Sequence, residues 1–376
     1  MKIVIAFDSF KGSLTARQAC QIASETILVE HQNIKTILKP MADGGEGTVN
    51  AILSAKKGQW IPHLVMGPLP SMQVEAGFAW FQEEKLALVE MAAASGIELL
   101  SKEQLNPLKT TTYGTGQLIQ AAIEYGAEKI LLAVGGSATI DGGIGAAMAL
   151  GWKFVDKLNN EIKFGGGELG RISKIIKPLD FKLPVIEVLC DVDNPLCGEQ
   201  GAAKIFGPQK GALPEMVECL DKGLFNLSQI IKSELGPDVI NLQGAGAAGG
   251  LSAGAVVFMN ATLVSGVETV IEEIALEKEM PDADWIITGE GCFDHQSLNG
   301  KVISGIIKTA QKYKTKIAVI AGRVLLSQKD YKKHGISIAI PCKKDSMDLD
   351  YAIKNSSQIL SEAIHEFLAV VLKLRK

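Results

Sequence analysis

Residues 129–143 read KILLAVGGSATIDGG. The first six are an apolar, β-prone run behind a single lysine, the pattern of a strand covered on both faces. The next nine hold four glycines, and Asp141 is their only charged side chain. A buried strand that gives way to a loop too poor in side chain to build a core, and then to the small apolar residues Ile144–Leu150, reads as strand, loop and helix. The fold is decided by whether that order repeats.

It does. Ile3–Phe7 is followed by the loop Asp8–Thr15 and by Ala19, Ile22, Ala23 and Ile27 on one helical face. Thr36–Leu38 leads into MADGGEG (41–47) and the stripe begun by Val49, Ile52 and Leu53. TTYGTG (111–116) opens a helix with Leu118, Ile119, Ala122 and Ile123 on its face and Gly126 as its C-cap. Further strands are expected at 184–190, 284–288, 317–321 and 336–340, and a long amphipathic helix carries Ile359 to Val371. Only from Trp60 to about Leu108 does the order break: EAGFAWF and KLALVEM follow one another with no helix between them, which predicts antiparallel structure. The chain is therefore α/β, and 376 residues suit two lobes better than one.

Composition narrows the function. A 47% apolar, 21% charged chain with a formal net charge of −4 has no electrostatic footprint for nucleic acid. The Met-Lys start runs straight into a strand, so no secretory signal is expected and the cytoplasm is the expected compartment. Residues 239–267 carry no charge, yet they hold six glycines and several polar residues, which argues for a glycine loop and a buried helix rather than a membrane span. Within it GAGAAGG (244–250) is suited to close backbone packing or to lining a ligand site. The six cysteines show no CxxC pair and no metal spacing, and are read as reduced thiols.

In a parallel sheet, ligands gather outside the carboxyl ends of the strands. Five loops fall there: DSFKG (8–12), DGGEG (43–47), GGSATIDGG (135–143), CDVDNP (190–195) and TGEGCFD (288–294). Glycines let an anion approach bare N–H groups, each loop carries a carboxylate, and Lys11 and Lys301 supply cations. Neither a P-loop nor a dinucleotide fingerprint is present. The residue types fit phosphoryl transfer to a small hydroxylated molecule, with a carboxylate taking the acceptor proton.

These loops, in this order, resemble the type I glycerate kinase family. The match runs through MKIVIAFDSFKGSLTA, PMADGGEGTV, NPLKTTTYGTGQLI, GGSATIDGG, CDVDNPLCGEQGAAKIFGPQKGA, GAGAAGGL and the 288–301 stretch, nearly the whole chain. The resemblance implies ATP-dependent, Mg2+-assisted phosphorylation of D-glycerate to 2-phosphoglycerate by a monomer or homodimer. A related hydroxy acid, or ligand binding without catalysis, is the alternative. It also implies a Rossmann-like three-layer lobe with a parallel sheet, a second, smaller mixed α/β lobe, and an active site in the cleft between them. With the break near residue 62, the first lobe is expected to comprise 1–62, 110–190 and 270–376, and the second 63–109 and 191–269.

By the same resemblance Asp191 is the leading candidate for general base, with Asp193 as alternate, and Lys11 is assigned to catalysis. Asp8, Ser9, Lys11, Asp43, Glu46 and Arg323 are assigned to the substrate. Gly135, Gly136, Ser137, Thr139, Asp141, Glu290, Asp294 and Lys301 are assigned to the nucleotide, and Asp141 and Asp191 to Mg2+. Asp8 and Asp294 equally suit helix capping or loop bracing, and His295 is not required by the family pattern. Three positions depart from that pattern: Phe7 stands for Pro, Ile140 for Asn and Cys292 for Arg. The last matters most, because the chain has only four arginines, and Arg323 could substitute from a neighbouring loop.

Overall fold

The computed structural model describes residues 1–179, 182–298 and 300–373. Its strands are, in chain order, β1 (Lys2–Phe7), β2 (Lys35–Leu38), β3 (Gln59–Met66), β4 (Gln73–Phe81), β5 (Leu86–Glu90), β6 (Lys129–Ala133), β7 (Lys153–Val155) and β8 (Lys174–Ile176). They continue with β9 (Val185–Leu189), β10 (Thr262–Val264), β11 (Trp285–Gly289), β12 (Cys292–Phe293), β13 (Lys316–Ala321), β14 (Arg323–Val324) and β15 (Ile336–Pro341). The chain divides into two compact units, one of Met1–Asp43, Asn50–Lys57 and Val267–Lys376, the other of Gly44–Val49 and Gly58–Gly266.

The first unit holds a five-stranded sheet in the order β15-β13-β11-β1-β2, parallel throughout. Its central strands read as continuous apolar runs because both faces are covered. Ile3, Ile5, Phe7, Ile287 and Ile320 pack with Ala19, Ala23 and Ile27 of the helix Ala16–Glu30 and with Ile364, Phe367 and Leu368 of the helix Ser356–Lys373. The alternate strand residues, Val4, Ile286 and Val319 among them, are equally buried. The helix Val302–Tyr313 packs on β11 and β13, giving the three-layer arrangement that the sequence reading anticipates. Thr15 starts the first helix with a capping box, its hydroxyl accepting the Gln18 N–H.

The second unit holds a six-stranded mixed sheet, β10-β9-β6-β5-β4-β3. β3 and β4 form the antiparallel hairpin, and β5, β6, β9 and β10 are mutually parallel. Here the sequence reading needs correction. Residues 110–190, expected in the first lobe, fall in the second unit, because β6 pairs with β5 from Leu86↔Lys129 to Glu90↔Ala133 and β9 then pairs with β6. The second unit is consequently the larger of the two. Strand, loop and helix recur in both sheets, and that local order carries no information on which sheet a strand joins.

Candidate active site

Every loop singled out from the sequence leaves the carboxyl end of a parallel strand, but the loops are divided between the units. The division passes through DGGEG itself, with Asp43 in the first unit and Glu46 in the second.

In the first unit Asp8 follows β1, Asp43 follows β2, Glu290 follows β11 and Arg323 follows β13, all at one edge of the sheet. Asp8 accepts the Ser9 N–H at 2.6 Å. Burial, with the negative charges of Asp43 and Glu290, pushes its carboxyl up to about 7 against the opposing pull of the Ser9 N–H and Lys11. Glu290 is likewise shifted upward by burial, opposed by Ser297 and Lys301. Its Oε1 is buried without a hydrogen-bond partner among the described residues. Lys11 is exposed in the turn closed by the Phe10 N–H and the Leu14 carbonyl, where Gly12 takes a φ of +77°. Asp294 accepts the N–H groups of Gln296 and Ser297 at 2.8 and 3.2 Å, so it braces a helical turn, the alternative weighed for it above. Lys301 stands at the N-cap of the helix Val302–Tyr313.

In the second unit the Gly135–Gly143 turn leaves β6 and is held from several sides. Thr110 Oγ1 donates to the Ala138 carbonyl at 2.8 Å, and the Ile97 N–H donates to the Gly136 carbonyl at 2.9 Å. Asp141, expected to serve the nucleotide and a metal, is fully buried instead. Its carboxylate accepts from the Thr112 N–H (2.8 Å), Thr112 Oγ1 (2.9 Å), Gly143 N–H (3.1 Å) and Gly145 N–H (3.3 Å). Most of these donors reach Oδ2 and one reaches Oδ1, so the carboxylate braces the loop against the Thr112 backbone and the start of the following helix. GAGAAGG does pack backbone on backbone here: the Gly142 N–H reaches the Gly249 carbonyl at 3.0 Å.

Asp191 follows β9 and is partly buried, its Oδ1 accepting from Ser265 Oγ at 2.8 Å and the Gly266 N–H at 3.0 Å. Asp193 is exposed and accepts from Gln243 Nε2 at 2.7 Å. Glu46 is exposed. None of the groups the sequence reading offered for Mg2+ forms a resident metal centre: among the described residues no three of His, Cys, Asp or Glu are arranged to hold an ion. All six cysteines are free thiols.

Two side chains escaped the sequence reading. Glu90, at the end of β5, accepts the Val49 N–H at 2.6 Å and caps the helix Thr48–Ala55 just after DGGEG; burial pushes its carboxyl up to about 7. Lys210 is 2% exposed, and its ammonium donates to Ser137 Oγ at 2.7 Å and to the Thr139 carbonyl at 2.8 Å. Burial draws the Lys210 pKa down to about 7, with the charge of Asp141 opposing. Both lie in stretches visible in sequence, but a lone lysine or glutamate reads there as surface, since such side chains are rarely fully buried.

Carboxylates and cations clustered at the carboxyl ends of parallel strands are the groups used by an enzyme of the small-molecule phosphotransferase class. The family model described as the glycerate kinase family matches residues 3–372. A glycerate 2-kinase from Escherichia coli (strain K12) is 42% identical over 99% of this chain and 98% of its own length. A glycerate kinase from Halalkalibacterium halodurans is 42% identical over 98% and 97%. A crystal structure described as a glycerate kinase 2 from Salmonella typhimurium LT2 superposes with a TM-score of 0.85 at 39% identity, covering 100% of this chain and 99% of that one. The chain belongs to the glycerate kinase family. Among the described residues no helix is long and apolar enough to cross a membrane.

Proposed function

We propose that the enzyme transfers the terminal phosphoryl group of ATP, taken as its Mg2+ complex, to the 2-hydroxyl of D-glycerate, giving ADP and 2-phosphoglycerate in the cytoplasm. The observation that carries this reading is Asp8: a carboxylate at a strand's carboxyl end whose surroundings raise it to about 7, the range in which a general base works best. Asp8 takes the hydroxyl proton as the new O–P bond forms and the bond to the β-phosphate oxygen breaks. Asp191, the base expected from sequence, is held by Ser265 and Gly266, and its role in this reading is to position that turn. Lys11 and Arg323 receive the carboxylate of the acid, Ser9 and Asp43 its neighbouring groups, and Gly135, Gly136, Ser137 and Thr139 the nucleotide phosphates. Mg2+ arrives on those phosphates, in keeping with its habit of retaining water and few protein ligands.

The reading is tested by ADP release with D-glycerate, L-glycerate, tartronate and glycolate, each with and without Mg2+, and by phosphorus NMR of the product. Turnover with D-glycerate and a 2-phosphate signal is the expected result. Preference for another of these acids would reassign the substrate, and binding of nucleotide or acid without turnover would make the protein a non-catalytic binder.

A further inference from the structure

We propose that Lys210 is the buried counter-charge of an anion site on the Gly135–Ile140 turn, and that the anion is a phosphoryl group of the nucleotide; this rests on the assignment of that turn to the nucleotide above. Three carbonyls of the turn already have donors of their own: Gly136 O has the Ile97 N–H, Ala138 O has Thr110 Oγ1, and Thr139 O has Lys210 Nζ at 2.8 Å. Fixing these carbonyls fixes the peptide dipoles between them, and among the described residues the N–H groups of Ser137 and Thr139 find no acceptor. Ser137 Oγ accepts from the Lys210 ammonium at 2.7 Å, so its own hydrogen is turned to other partners. Thr139 Oγ1 is buried with no hydrogen-bond partner among the described residues. Two hydroxyls and two amides of the turn thus stand as donors on the two residues, Ser137 and Thr139, that the lysine touches.

That lysine has no carboxylate within ion-pair distance among the described residues. Among the described residues the charged group that acts on it is Asp141, whose oxygens already accept from Thr112, Gly143 and Gly145. A buried ammonium without an ion pair is costly. An anionic ligand on the turn removes that cost, and the ammonium in return adds charge to amide donors that alone are dipoles.

The consequence is a proton linked to binding. Burial holds the free lysine near 7, so at pH 8 most of it is neutral and at pH 6 it is already charged. An anion bound beside it raises its pKa, so binding at pH 8 takes up to about one proton and binding at pH 6 far less. The experiment is calorimetry of Mg·ADP binding at pH 8 and pH 6 in buffers of different ionisation enthalpy, with D-glycerate alone as a second titrant, on the wild type and Lys210→Met. Proton uptake with Mg·ADP at pH 8, its loss in Lys210→Met, and at least tenfold weaker binding by that variant are the expected results. Mg·ADP binding with no uptake by the wild type overturns the role of Lys210 and leaves the nucleotide assignment standing, and this arm needs no variant to fold. Equal uptake by both proteins overturns it as well. Uptake with D-glycerate alone and not with Mg·ADP overturns the choice of anion, and failure of Mg·ADP to bind at all overturns the nucleotide assignment together with it.

Discussion

Cys292 and Arg323 are directly paired in the parallel ladder of β12 and β14. Partners across a ladder stand about 5 Å apart and project from the same face. The guanidinium that the family pattern places at 292 is therefore matched in this chain by one on the adjoining strand, and Arg323 is exposed at the sheet edge that carries Asp8 and Glu290. Arg323→Ala is expected to raise KM for D-glycerate tenfold or more with a smaller change in kcat. Adding Cys292→Arg to that variant should recover most of the loss. Arg323→Lys should recover only part, because an ammonium cannot grip a carboxylate with two parallel bonds. Steady-state kinetics decide it, and an unchanged KM in Arg323→Ala removes this residue from recognition of the acid.

Asp8 links rate to pH and to stability. As a base it must be ionised, so kcat/KM should climb as pH rises toward about 7 and level off above, and Asp8→Asn should lose about a hundredfold or more in kcat. Asp191→Asn should lose less if Asp191 only positions its turn, and a larger loss there would return the base assignment to Asp191. The stability effect has the opposite sign. The folded protein holds the Asp8 proton up to about 7 while the unfolded chain releases it near its ordinary 3.8, so stability is lost between those values as pH rises. Asp8→Asn should accordingly melt at a higher temperature than the wild type at pH 8, and by a smaller margin at pH 5.

Much of this was legible in the sequence, and the reasons are local. Strand ends and loop positions follow from apolar runs and glycine clusters, so β1, β6, β9 and β11 lie within a residue or two of where they are read. What could not be read was long-range. β6 joins β5 and β9 joins β6, and neither joins β1, because of pairings between segments about 40 residues apart and more, and nothing in KILLAV states a partner. The same limit governs the site. Asp8 and Asp141 look alike in sequence, each a carboxylate in a glycine loop, and differ only in company: one N–H donor and other carboxylates for Asp8, a shell of donors for Asp141. Lys210 lies 71 residues from the carbonyl it holds.

If Asp141 is a brace, its loss should be felt by the fold before the chemistry. Asp141→Ala strands the Thr112, Gly143 and Gly145 donors in a fully buried position, and each buried donor left without an acceptor costs about 1–3 kcal/mol. A loss of about 3 kcal/mol or more in denaturant unfolding is expected. A variant of normal stability that has lost only Mg2+-dependent activity would return Asp141 to the role of ligand.

Gly249 packs closely against the backbone of the proposed phosphate turn. Its φ is +67°, and a Cβ there would stand 2.0 Å from the Thr139 carbonyl oxygen and 2.6 Å from Ile140 Cα. Both obstacles are backbone, so neither can swing aside as the end of a long side chain would. Relief requires moving Thr139 and Ile140, the segment whose carbonyl Lys210 also holds. Gly249→Ala should therefore weaken Mg·ADP binding at least tenfold and lower Tm, whereas Gly170→Ala in the same unit, where a Cβ meets nothing within 4 Å, should leave binding unchanged. Calorimetry and thermal melts of the pair give the comparison. If Gly249→Ala keeps full affinity while its Tm falls, the turn tolerates displacement, and its geometry is not what holds the phosphates.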